Sequence, residues 1–152
     1  MALAAPIQQG QLDSLQHASA AEIGRLLATS KGGAVQVAEH FLSHIEEQTS
    51  AVFLNVTQDR ALAEARSADE RLAAGRPLSP LDGVPLAWKD LIDMAGERTT
   101  VASGLFKETP LAEEDAPALR RAAQAGMVNL GKVNLAEIAY PALRQNPHFG
   151  PP

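Results

Sequence analysis

Residues 83–90 read Gly-Val-Pro-Leu-Ala-Trp-Lys-Asp, a short apolar run that is followed by a lysine and an aspartate. Side chains alternate between the two faces of a strand. The alternation therefore predicts a strand over residues 84–89, in which Lys89 shares a face with Pro85 and Ala87. The strand would end on a charged side chain at the edge of a sheet.

Outward from this strand, helical and strand patterns alternate. Two further strands are predicted over residues 52–56 and 127–131, which are rich in apolar and β-branched side chains. Helices are predicted where apolar residues recur at i, i+3 and i+4. They are one that begins with a capping box at Ser19, one through residues 38–45, one from Thr57 to Leu72, one capped by Asp115 that ends at Gly126, and a short one from Asn134 to Ala139 that ends at Pro141.

This order predicts an α/β fold in which helices pack on a mixed, partly parallel sheet. We assign residues 1–152 to a single incomplete domain. Residues 1–76 form its mainly helical N-terminal region, and residues 77–152 form its lysine-bearing α/β region. The last predicted strand is followed only by short turn-rich segments, so the domain is expected to continue past residue 152. An incomplete sheet leaves an unpaired strand edge, which favours self-association.

The composition excludes several classes of function. The net charge is −5 and no basic patch is visible, so contact with nucleic acid is not expected. The chain has no cysteine, which excludes disulfides, a thiol nucleophile and cysteine-based metal sites. No apolar run reaches the roughly 20 residues that a membrane helix needs, and the N-terminus lacks the pattern of a signal peptide. We therefore expect a soluble cytoplasmic protein.

Lys89 is the main candidate for chemistry. A lysine that acts as a base near pH 7 needs surroundings that disfavour its charged form. Partial desolvation at the end of an apolar strand works in that direction, whereas nearby carboxylates such as Asp90 and Asp93 work against it. Chemistry alone favours the simpler interpretation, in which Lys89 extends its charge into water.

Five motifs follow one another in residues 77–152. They are the lysine run at residues 80–96, Thr-Thr-Val-Ala-Ser at 99–103, an Ala-rich helix at 116–126, a Gly-Lys-Val-Asn run at 131–140, and Asn-Pro-His-Phe-Gly at 146–150. In this order they resemble segments of the amidase-signature family. Residues 1–76 resemble that family more loosely.

The resemblance implies a Ser–cis-Ser–Lys triad with Lys89 as its lysine. In that family the lysine accepts a proton, through a serine in a cis peptide bond, from the serine that attacks an amide carbonyl. The resemblance also implies a small amide substrate, no metal or organic cofactor, and a substrate site that includes Ala139, Tyr140 and Pro141. The two serines belong to a Gly/Ser-rich segment that this sequence does not contain. The chain alone is therefore expected to be inactive, and Ser103 lacks the surroundings of a nucleophile.

Three functions remain open at this stage. The first is an amidase that cleaves a small carboxamide. The second is the A subunit of an amidotransferase, which releases ammonia from glutamine for a misacylated tRNA and needs partner subunits. The third is a non-catalytic, truncated or decayed domain that persists by self-association or by binding a partner.

Two other patterns have simpler explanations. Residues 126–132 match Gly-x4-Gly-Lys, but Val133 stands where a phosphate-binding loop needs a hydroxyl for Mg²⁺. His40 and His44 lie four residues apart on a predicted helix and could form half of a metal site. No third ligand is near them in sequence, so we predict a solvated helix edge and no metal site.

Overall fold

A computed structural model describes residues 6–48, 51–140 and 146–150. Within these ranges the chain forms five α-helices, three strands and three 3-10 turns. The helices are α1 (Gln9–Ser14), α2 (Ala20–Ser30), α3 (Ala34–Glu47), α4 (Gln58–Ala73) and α5 (Pro117–Gln124). The strands are β1 (Phe53–Val56), β2 (Pro85–Lys89) and β3 (Val128–Val133), and the 3-10 turns are Leu15–His17, Gly104–Phe106 and Glu137–Ala139.

The three strands form one mixed sheet in the order β1-β3-β2. β3 pairs in parallel with β2 and antiparallel with β1, which confirms the prediction of a mixed, partly parallel sheet. Central β3 is buried along almost its whole length, as expected for a strand with neighbours on both sides. Gly131 makes the β1–β3 contact possible, because a Cβ at this position would lie 2.2 Å from the carbonyl oxygen of Asn55.

The main core lies between the sheet and helices α3 and α4. Helix α4 presents a stripe of small side chains, and this stripe lets the helix approach the sheet closely. Its buried residues are Ala61, Ala65, Ala68 and Leu72. The apolar faces predicted for α2, α3 and α4 all contribute to this core.

The beginnings of three helices test the capping predictions. Ser19 caps α2 in a full capping box with Glu22, as predicted. Thr57 precedes α4, but its hydroxyl donates to the carbonyl of Asn129 instead of capping the helix. The cap predicted at Asp115 is wrong: Ala116 occupies that position, because the Asp115 carboxylate is taken by the guanidinium of Arg60.

The C-terminal part differs most from the prediction. The short helix expected from Asn134 to Ala139 is absent from the described residues, and only the turn Glu137–Ala139 forms there. The Asn134 amide N–H instead continues the sheet by donating to the carbonyl of Val52 at 2.8 Å. Pro141, the predicted end of that helix, lies outside the described residues. Helix α1 was not predicted, because Gln9–Ser14 contains one apolar side chain and so has no periodicity.

No helix among residues 6–48, 51–140 and 146–150 is both long enough and apolar enough to cross a bilayer.

Candidate active site

Lys89 is the last residue of β2 and lies beside Val133 at the end of β3. Its ammonium donates to the carbonyl oxygen of Asn134 at 2.7 Å. The residue is exposed, which contradicts the predicted partial desolvation and agrees with the simpler interpretation, in which the lysine extends its charge into water. Its position as the last residue of β2 fixes where the lysine stem begins.

The two acids that follow Lys89 are engaged elsewhere. The Asp90 carboxylate is buried and lies 2.7 Å from the ammonium of Lys132. The Asp93 carboxylate accepts a hydrogen bond from the hydroxyl of Thr99 at 2.6 Å. Neither carboxylate pairs with Lys89 among the described contacts. The opposing effects of desolvation and of nearby carboxylates that the sequence predicted for this lysine are therefore not seen there.

Lys132 is the buried lysine of this region, with 1% of its surface exposed. Its ammonium has three donors. These lie 2.7 Å from Asp90 Oδ1, 2.8 Å from the carbonyl of Arg98 and 2.8 Å from the hydroxyl of Thr99. Lys132 lies within β3 and not in a loop, so the Gly-x4-Gly-Lys pattern is a strand and not a phosphate-binding turn, as the sequence indicated.

The Asp90 carboxylate also holds the loop that follows β2. Its second oxygen accepts hydrogen bonds from the backbone N–H and the hydroxyl of Thr100. The backbone N–H of Val101 donates to the Asp90 carbonyl at 2.9 Å. One buried acid therefore connects the end of β2, the adjacent β3 and the turn at residues 100–102.

Two turns beside this acid have unusual backbone conformations. Val101 and Ala102 have φ values of 51° and 50°, and Ile138 and Ala139 both have φ of 54°. This left-handed conformation is costly for residues with a Cβ, and such strain often collects at functional sites. The turns contact each other, because the Ile138 N–H donates to the Val101 carbonyl at 2.9 Å.

Asn146 joins these turns to the Asn-Pro-His-Phe-Gly segment. Its buried side-chain amide donates to the carbonyls of Ala102 and Leu135 at 2.6 and 3.1 Å. Its carbonyl oxygen accepts from the backbone N–H groups of His148 and Phe149. Each polar atom of this side chain is used, which is what a buried amide requires.

A serine, a carboxylate and a histidine lie together in the same region. The hydroxyl of fully buried Ser103 donates to Glu137 at 2.7 Å, and His148 Nε2 lies 3.1 Å from the same carboxylate oxygen. The carboxylate stands between the hydroxyl and the imidazole, whereas an activated serine needs the imidazole next to its hydroxyl. Ser103 is therefore a structural residue, as the sequence predicted. The pairing of Glu137 with His148 gave no sequence signal.

The structure describes two of the three residues that the resemblance assigns to the substrate site. Ala139 and Tyr140 are exposed, and 66% of the surface of Tyr140 is accessible. Pro141 lies outside the described residues. Ala139 belongs to the strained turn that contacts Val101, and Tyr140 follows it, so both lie at the same end of the sheet as the Lys89 strand end.

His40 and His44 do not belong to this region. Their ring centres are 4.4 Å apart on α3, and burial lowers the pKa of His40. His40 Nε2 is buried without a hydrogen-bond partner. In the described part of the chain, no three histidine or acidic side chains are grouped as a metal site would require.

A lysine at the end of a parallel strand, with ordered turns from residues 100–102 and 137–140 near it, has the form of an enzyme site on an α/β scaffold. A family model described as Amidase matches residues 36–152. The chain belongs to this amidase family.

Two curated relatives are A subunits of glutamyl-tRNA(Gln) amidotransferase. The subunit from Ralstonia nicotianae is 40% identical over 126 residues, which cover 82% of this chain and 25% of that protein. The subunit from Thermobifida fusca is 39% identical over 137 residues, which cover 88% and 27%. The chain therefore spans about a quarter of the length of the curated relatives that it matches.

Solved structures agree with this assignment. One comes from a vestigial protein complex that bears on the evolutionary origins of an s-triazine catabolic enzyme. It has a TM-score of 0.83 and 36% identity, over 88% of this chain and 30% of that chain. The native peptide amidase from Stenotrophomonas maltophilia has a TM-score of 0.78 and 26% identity, over 90% and 29%. The predicted family and the α/β fold are confirmed.

Proposed function

We propose that this chain contributes the lysine base, Lys89, to an amide-cleaving site of the Ser–cis-Ser–Lys type. The observation that carries the proposal is the position of Lys89 at the end of β2, where the residue is exposed and its ammonium makes one described hydrogen bond, to Asn134. A base must reach the group whose proton it accepts. An exposed lysine at a strand end is consistent with this requirement.

The two serines are proposed to come from sequence outside residues 1–152. The matched relatives are about four times as long as the aligned region, which leaves room for such a segment. The same segment would cover Lys89 and supply the desolvation that favours a neutral amine. We expect residues 1–152 alone to show no turnover of small amides.

A chimera tests the role of Lys89. Residues 6–150 replace the matching quarter of the Ralstonia nicotianae subunit, and ammonia release is measured with glutamine and with a small carboxamide. Loss of a general base lowers turnover by about 10²–10⁴-fold. We expect Lys89→Ala to lower turnover by this factor, and Lys31→Ala, which removes an exposed lysine between α2 and α3, to leave it unchanged.

Two results would contradict the proposal. The first is a Lys89→Ala chimera that keeps turnover within about twofold of its parent, since base catalysis is worth far more than that. The second is a folded chimera that has Lys89 but releases no ammonia. Circular dichroism of each chimera separates the second result from simple misfolding.

An amidotransferase A subunit is the second candidate, and the names of the curated relatives favour it. It differs from an amidase in needing partner subunits and in preferring glutamine as the source of ammonia. The chimera assay distinguishes the two when it is run with and without the partner subunits of the Ralstonia nicotianae enzyme. Stimulation that is specific to glutamine supports the amidotransferase, and partner-independent cleavage of simple carboxamides supports the amidase.

A further inference from the structure

Two lysines lie at the ends of adjacent parallel strands, and their surroundings are opposite. Lys89 is exposed and has one oxygen partner among the described residues. Lys132 lies beside Trp88 in the strand register, is 1% exposed and has three oxygen partners. Side chains of successive strand residues point to opposite faces, so the two ammonium groups lie on different faces of the sheet.

The carboxylate that pairs with Lys132 belongs to Asp90, the neighbour of Lys89 in sequence. A carboxylate close to a lysine stabilises its charged form and so opposes its use as a base. The Asp90 carboxylate is 2% exposed, and its oxygens are occupied by Lys132 and by the turn at Thr100. The charge of Lys132 compensates that of Asp90.

We propose that Lys132 is a positioning residue for the lysine site: it holds the Asp90 carboxylate beneath the strand end and neutralises it, so that Lys89 has neither an acidic partner nor an uncompensated negative charge beside it. This inference rests on the proposed function only in calling Lys89 a base. Asp93, the other nearby acid, is separately engaged by Thr99.

The inference predicts how fast Lys89 reacts, independently of any turnover. Acetic anhydride acetylates the neutral amine of a lysine and not the ammonium, so the rate reports the neutral fraction. The chain has four lysines, and exposed Lys31 and Lys107 serve as internal standards in each sample. Trace labelling of the 152-residue chain at pH 8, followed by peptide mass spectrometry, gives the rate at Lys89 relative to these two.

The two single substitutions should move this rate in opposite directions. Lys132→Met leaves the Asp90 charge uncompensated, and the rate at Lys89 should fall about threefold, the size expected for one unit charge near an exposed group. Asp90→Asn leaves the Lys132 charge uncompensated, and the rate should rise by a similar factor. The double variant Asp90→Asn/Lys132→Met removes both charges, and the rate should return to that of the parent.

A purely structural role gives a different pattern. If the Asp90–Lys132 pair only holds the loop after β2, both single variants change the acetylation rate of Lys89 in the same direction, or neither changes it. The double variant then has the same rate as the single variants. Either pattern overturns the inference. An unpaired buried carboxylate is strongly destabilising, so circular dichroism checks the Lys132→Met chain. If that chain is unfolded, Asp90→Asn and the double variant decide, because an Asp90→Asn rate equal to or below that of the parent overturns the inference.

This test and the test of function fail separately. If Lys89→Ala leaves the chimera active, Lys89 is not the base, whatever the labelling rates are. If Lys89→Ala abolishes turnover but the labelling rates do not move in opposite directions, the proposed function stands and the role of Lys132 does not.

Discussion

Replacing Gly126 by Ala should destabilise the protein through a contact that the sequence does not reveal. Gly126 follows α5 with φ of 85°, and a Cβ there would lie 2.2 Å from Oδ1 of Asp82. Asp82 is buried and accepts two hydrogen bonds from the guanidinium of Arg71, at 2.9 and 2.7 Å. The added methyl group cannot fit unless this carboxylate moves off its partner.

The expected magnitude has two parts. The left-handed conformation costs Ala roughly 1–2 kcal/mol. Ala also lowers the conformational entropy of the unfolded chain, which stabilises the folded state by about 0.4–1 kcal/mol. The net backbone cost is therefore about 1 kcal/mol. Displacing the Asp82 carboxylate weakens hydrogen bonds between charged groups, which contribute about 1.5–3 kcal/mol. The free energy of unfolding should fall by about 2.5–4 kcal/mol in total.

Gly75 provides a matched control. It also follows a helix, α4, with a left-handed φ of 67°, but no atom lies within 4 Å of the position that its Cβ would take. Gly75→Ala should therefore cost only the backbone part, about 1 kcal/mol. Urea unfolding of both variants, followed by circular dichroism, measures the difference. If Gly126→Ala costs no more than Gly75→Ala, the contact with Asp82 does not constrain this turn.

Three further variants test other contacts. Burial lowers the pKa of His40, so as the pH falls below about 6.5 the unfolded chain binds a proton at this residue before the folded chain does, and the free energy of unfolding should decline. In urea titrations His40→Gln should flatten this decline, whereas the exposed control His17→Gln should not. The hydrogen bond from Arg60 lowers the pKa of Asp115, so this pair stabilises the fold above about pH 4, and the stabilisation is lost as the pH falls further. With Asp115→Asn, the free energy of unfolding should therefore depend less steeply on pH in the acid range. Gly131→Ala should lower the free energy of unfolding by more than about 2 kcal/mol, because its Cβ would meet a β1 carbonyl; a smaller loss in urea unfolding would show that β1 can move aside.

Local patterns predicted most of the helices and strands. The capping box at Ser19 and the alternation in residues 84–89 depend on neighbours in sequence, and both have the predicted structure. The end of β3 was predicted two residues too early, at residue 131. Lys132 stays in the strand because a distant carboxylate, that of Asp90, pairs with it inside the protein.

Lys89 stays a prediction as the catalytic lysine, made from the motifs around it. The exposure of Lys89 agrees with the interpretation that the residues alone favoured, in which the lysine extends its charge into water. The contacts of the candidate site could not be predicted from the sequence. The contact between Glu137 and His148 joins residues 11 apart through a turn that has left-handed residues at non-glycine positions. Sequence patterns favour glycine for such turns, so this one gave no signal.

The hydrogen-bonding capacity of the two lysines decides which of them can act as a base. An ammonium group has three donors. All three donors of Lys132 meet oxygen atoms within 2.8 Å, and one of these belongs to a buried carboxylate. Such a group has no open direction from which a substrate or a serine could approach. Lys89 has one described partner, the Asn134 carbonyl, so two of its donors have no partner among the described residues. The buried lysine therefore fits the role of a fixed countercharge, and the exposed lysine fits the role of the base.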